Sequence, residues 1–130
     1  MIRLVVSNPD LVPPPPISSD TLRKMARLRI ENAYVRKHMF DRTIAIEPDN
    51  YANLTIYPES STSGLWMMSQ SITIDGYRDA ADHANVYSSK LAAFDHGVAR
   101  IRRACAAAAP EHAEIAAEIR KWAETLEMPL

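Results

Sequence analysis

From Tyr77 to Cys105 the apolar positions recur at alternating steps of three and four: Tyr77, Ala80, Ala84, Tyr87, Leu91, Phe94, Val98, Ile101 and Cys105. Such steps keep side chains on one stripe of an α-helix, and only an apolar partner surface can cover the stripe. The spacing predicts one long helix over 76–109, with only Gly97 against it at a cost of about 1 kcal/mol relative to alanine. About 30 residues at a 1.5 Å rise make ~45 Å, longer than a domain of this size is wide. Part of the stripe, Tyr87, Leu91, Phe94, Val98 and Ile101, is therefore expected to pack across a homodimer interface. Ala109-Pro110 breaks the pattern, and Ile115, Ile119, Trp122 and Leu126 then predict a further helix within 110–128. Alanines on both sides of that junction let the two helices approach closely as an antiparallel hairpin.

Ahead of the stripe the periods are shorter. Ile2, Leu4 and Val6 alternate in a first strand and turn over 1–12, and Pro13-Pro14-Pro15-Pro16 within 13–17 is a stiff spacer. Ser18 or Ser19 caps a helix over 18–42, where Leu22, Met25, Ala26, Leu28, Ile30, Ala33, Val35, Met39 and Phe40 form a wide apolar arc, to be covered on two sides. Residues 43–75 read as a β-meander: Thr43 to Glu47, Asn53 to Tyr57, and Leu65 to Ile74, the last closed by Asp75-Gly76. Asp75 also serves as a cap for the helix expected after it. The fold class is α+β, a small antiparallel sheet of about three to four strands with the order β-α-β-β-β-α-α in a single domain over 1–130.

Composition narrows this little. An apolar fraction of 47% and a charged fraction of 24% belong to an ordinary globular chain. The lone Cys105 excludes an internal disulfide, and no apolar run is long enough for a signal sequence or a membrane span, so a reducing, cytoplasmic setting is expected. Charge is uneven: residues 1–42 carry eight Lys/Arg against four Asp/Glu, and the rest carry seven against twelve.

Chemistry is sparse. Asp79, Asp82, His83, Asp95 and His96 come closest to a site, but on one helix His83 and His96 would stand about 220° apart, too far for one ion. There is no Gly-x-Ser-x-Gly elbow and no phosphate-cradling glycine loop, and Cys105 with His112 lacks an activating group. No catalytic residue, metal site or cofactor is assigned. Arg29, Asn32 and Arg36 fall inside the apolar arc of the 18–42 helix, with Lys24, Arg27 and Arg42 on its polar strip. Guanidinium groups on an apolar arc need partners, which makes these six the candidate partner-binding residues.

The leading expectation is a non-catalytic interaction protein of bacterial or phage type, a regulator, inhibitor or adaptor that occupies an acidic patch of a larger protein. A dimeric nucleic-acid-binding regulator using the basic 18–42 helix ranks below it, and a small hydrolase built around His83 ranks third.

Overall fold

The computed structural model describes residues 11–12, 18–81 and 85–128; the strand expected at Met1 to Val6 and the proline spacer lie outside them. In chain order the elements are β1 (Leu11–Val12), α1 (Ser19–Glu31), α2 (Ala33–His38), β2 (Phe40–Ile46), β3 (Asn50–Pro58), β4 (Trp66–Ile74), β5 (Tyr77–Ala81), β6 (Val86–Tyr87), α3 (Lys90–Ala106) and α4 (Ala113–Thr125). The class is α+β. All strand pairs are antiparallel, in the order β1-β6-β4-β3-β2, and β5 pairs with the far end of β4. The edge of β4 opposite β3 is thus taken first by β6, at Trp66 and Met67, and then by β5, from Gln70 to Ile74.

The meander follows from period-two alternation. Phe40, Ala52, Leu54, Ile56, Met68, Ile72 and Ile74 turn to one face and are buried beneath α3 and α4. Each large aliphatic side chain so covered contributes about 1.5–3 kcal/mol relative to exposure. The opposite positions of the same strands include Thr43, Asn53, Ser69, Ser71 and Thr73, and on that face Tyr57 and Met67 are buried under α1 and α2. Two turns at one end are tied together: Asn50 Oδ1, at the start of β3, accepts from the Asp75 N–H of the β4–β5 turn at 2.6 Å.

The long helix expected over 76–109 does not form. Asp75 and Gly76 adopt φ of +44° and +88°, which turns the chain back as a tight hairpin, so Tyr77–Ala81 becomes strand β5 instead of a first helical turn. Tyr87 belongs to β6, and the helix begins only after Ser89, whose Oγ accepts from Ala92 N–H at 3.0 Å. With 17 residues, α3 is about half the expected length. Gly97 marks its closest approach, facing Leu54 and Met68. The hairpin of α3 and α4 forms as expected, joined through a single 3₁₀ turn at Pro110–His112.

The helix expected over 18–42 is also shorter. It breaks at Asn32, which has extended backbone, donates its N–H to Arg29 O at 2.9 Å and accepts from Tyr34 N–H at 2.8 Å. One residue caps two helices, because an asparagine side chain competes with the helical ladder for nearby N–H groups. Phe40 and Arg42 then belong to β2. The break overturns the wide apolar arc. Among the described side chains of α1, Leu22 and Ala26 are buried, whereas Met25 is 36%, Leu28 68% and Tyr34, on α2, 41% exposed.

Candidate functional site

A groove of about 340 Å³ opens between α1, α2 and the chain that leaves β3. Val35, buried by its contacts with Tyr57 and Met67, lines it from α2. Leu28 and Tyr34 are its apolar walls, and Glu59, Ser60 and Ser61 close it from the opposite side. Across it Arg29 Nη2 lies 3.7 Å from Glu59 Oε1, both side chains about a quarter exposed, while Arg29 Nη1 donates to Met67 Sδ at 3.1 Å. The half-buried Arg29 thus has a carboxylate of its own fold, as its desolvation requires. Burial pushes the nearby Tyr57 phenol well above its usual range, so this ring stays neutral beneath Val35.

Of the six residues selected from the sequence, Arg29 and Asn32 line the groove. Arg36 stands outside it and donates from Nη1 to Glu31 O at 2.7 Å, satisfying a carbonyl at the end of α1. Lys24 and Arg27 are exposed on α1. Arg42 is separate from them: it lies on β2, where its guanidinium stacks 4.5 Å above the Phe40 ring. The residues expected at a homodimer interface are mostly covered by the chain itself. Tyr87, Phe94 and Ile101 are buried in the main core and Val98 packs against it; Leu91 alone is 51% exposed. At 17 residues α3 is not the overlong helix from which a dimer was expected.

A second constellation, missed in the sequence, sits where α3 passes β5 and β6. Tyr87 Oη and His96 Nδ1 are hydrogen-bonded. One turn along α3, Arg100 donates from Nε to Gln70 Oε1 at 3.2 Å, and its Nη2 lies 3.4 Å from both Asp79 oxygens. Burial, then the charges of Arg100 and Arg103, hold the His96 imidazole below its usual range, and burial pushes the Tyr87 phenol up. Both shifts favour the uncharged forms, so the pair joins a neutral phenol and a neutral imidazole, with the donor set by the imidazole tautomer. Asp79 and His96 do take part in a polar cluster, but through strand pairing and not as neighbours on one helix, while His83 lies outside the described residues. No spacing rule joins residues 70, 79, 87, 96 and 100, because four different elements supply them.

Cys105 and His112 do not form a thiol pair. Burial raises the Cys105 thiol, and His112 Nδ1 lies 2.7 Å from Asp75 Oδ2. Among the described residues no cluster of three metal-ligating side chains occurs and no helix is long and apolar enough to cross a membrane. Compared with known protein families, curated proteins and solved structures, the chain gives no match.

Proposed function

We propose that this chain is a non-catalytic interaction protein, a small regulator, inhibitor or adaptor of the cytoplasm, and that the α1–α2 surface receives an acidic, amphipathic segment of a larger protein. The observation that supports the reading is the combination of uncovered apolar side chains with excess positive charge. Leu28 and Tyr34 are exposed at the groove and Met25 elsewhere on α1, and α1 and α2 carry Arg23, Lys24, Arg27, Arg29, Arg36 and Lys37 against Asp20 and Glu31. Surfaces of large apolar anchors within a charged rim fit protein contacts, the anchors supplying affinity and the charges steering the encounter. Leu28 and Tyr34 are the anchors of this reading and Arg27 its steering charge.

The test is capture from the native host with the wild type and with Leu28→Glu and Arg27→Glu in parallel. One protein should be retained by the wild type, released by raised salt, and lost with either variant, while both variants melt like the wild type. Retention of the same protein by Leu28→Glu would refute the docking surface. Binding of generic DNA or RNA with a steep salt slope that Arg27→Glu flattens would replace this reading by the nucleic-acid one.

A further inference from the structure

On the far side of the sheet from that groove, α3 and β5 enclose a smaller pocket of about 120 Å³ lined by Tyr77, Asp79, Arg100, Arg103, Ala104 and Ala107. Two guanidinium groups and one carboxylate meet there, so its lining is net positive. Asp79 does not neutralise both. It spans Arg100 at 3.4 Å from each oxygen, and Arg103 has no ion-pair partner among the described residues. Both arginines act against protonation of His96, on the preceding turn of α3.

Donors outnumber acceptors around this point. Arg100 spends Nε on Gln70 and Nη2 on Asp79; among the described residues its Nη1 is unengaged and the Nε2 of the fully buried Gln70 has no partner. Tyr77 adds a phenol at the rim and is 48% exposed. The two alanines keep the floor of the pocket low beside the arginine stems. A cavity of this size is well below the roughly 300–1,000 Å³ of sites for drug-sized ligands. It suits one compact group rich in acceptor oxygens. Paired guanidinium groups are the usual match for such a group, because their forked N–H donors meet two oxygens at once.

We propose that the Arg100–Arg103–Tyr77 pocket binds a single tetrahedral oxyanion, the phosphate group of a phosphomonoester or free phosphate. This site is independent of the α1–α2 surface, and its failure would leave that reading untouched. Phosphate in the pocket brings negative charge to Arg103 and shares Arg100 with Asp79. It also offsets the positive field on His96, whose titration midpoint then moves up.

The test is a titration of the full-length protein with inorganic phosphate, followed by NMR of the Arg Nε–H signals and the His96 ring, against chloride at equal ionic strength. Phosphate should give saturable shifts at Arg100 and Arg103 with half-saturation at about 0.1–10 mM, a weak-binding range, and should raise the His96 midpoint. Arg103→Gln should weaken binding about tenfold or more, as expected for losing a charge-assisted contact. Arg102→Gln, the same charge change on an exposed neighbour outside the pocket, should leave it unchanged. Methyl phosphate binding as well as inorganic phosphate would assign the site to a phosphate carried by a larger molecule; binding of inorganic phosphate alone would assign it to the free ion. Shifts that do not saturate, that chloride reproduces, or that Arg102→Gln and Arg103→Gln reduce equally would overturn the proposal.

Discussion

Replacing Gly97 by alanine sets two known effects against each other in the middle of α3. In an exposed helix the change should stabilise by about 1 kcal/mol through backbone propensity. Here the added Cβ would fall inside the van der Waals envelope of Leu54 Cδ1 and stand 3.2 Å from Met68 Cγ. Leu54 is fully buried and Met68 is 1% exposed, so neither side chain has open space to enter. Overpacking by one methyl in a closed core costs about 1–3 kcal/mol. The packing cost should win, leaving a net loss of up to about 2 kcal/mol. For a chain of this length that lowers the melting temperature by up to roughly 8 °C. Thermal and urea unfolding followed by circular dichroism would measure it. Leu54→Val, which withdraws the clashing methyl, should be less harmful in the Gly97→Ala background than in the wild type, giving a favourable coupling in a double-mutant cycle. A Gly97→Ala variant that melts higher than the wild type would refute the reasoning, since it would mean that α3 stands further from β3 and β4.

Two further predictions concern pH and capping. The His96 imidazole is held below its usual 6.5 in the folded state, so as pH falls through 6.5 the unfolded chain takes up a proton that the folded chain refuses. Stability should therefore be level above that pH and decline below it, and His96→Gln should flatten the decline between pH 7.5 and 5 in urea titrations; an equal decline in the variant would assign the acid sensitivity elsewhere. Asn32→Ala removes the side-chain cap of α2 and should cost about 1 kcal/mol, with Asn32→Asp recovering most of it; unchanged urea midpoints for the alanine variant would show that the helix break does not depend on the cap.

Much of the sheet was legible because alternation is a local property. Thr43 to Glu47, Asn53 to Tyr57 and Leu65 to Ile74 announce themselves by period two and by turn residues between them, and α4 by Ile115, Ile119 and Trp122, whereas Phe40 to Arg42 continue a helical spacing and only pairing with β3 makes them the start of β2. Tyr77, Ala80 and Tyr87 satisfy a three-four spacing by coincidence, the first two lying on β5 and the last on β6. Asp75-Gly76 serves equally as a helix cap and as a hairpin turn, and only the pairing of Tyr77 with Ile74 and of Arg78 with Thr73 decides between them. The groove was half legible. Arg29 and Asn32 stood out as polar residues on an apolar arc, but their meeting with Glu59 depends on how α1 and α2 pack on the sheet, and that leaves no spacing signature. The Tyr87–His96 pair was hidden for the same reason.

The two sides of the sheet hold separate apolar clusters of unequal size. The one beneath α3 and α4 is large, whereas α1 and α2 rest on Ala26, Val35, Tyr57 and Met67 with Ile30 and Met39 beside them. Cooperative units with few buried contacts open at a smaller free energy than the domain as a whole. The N-terminal helices are thus a thinly anchored flap on a firm platform, able to lift away while the meander and the α3–α4 hairpin stay closed. Anything that seats between Leu28 and Tyr34 would hold the flap down, and part of its binding energy would be registered as slower amide exchange in α1 and α2.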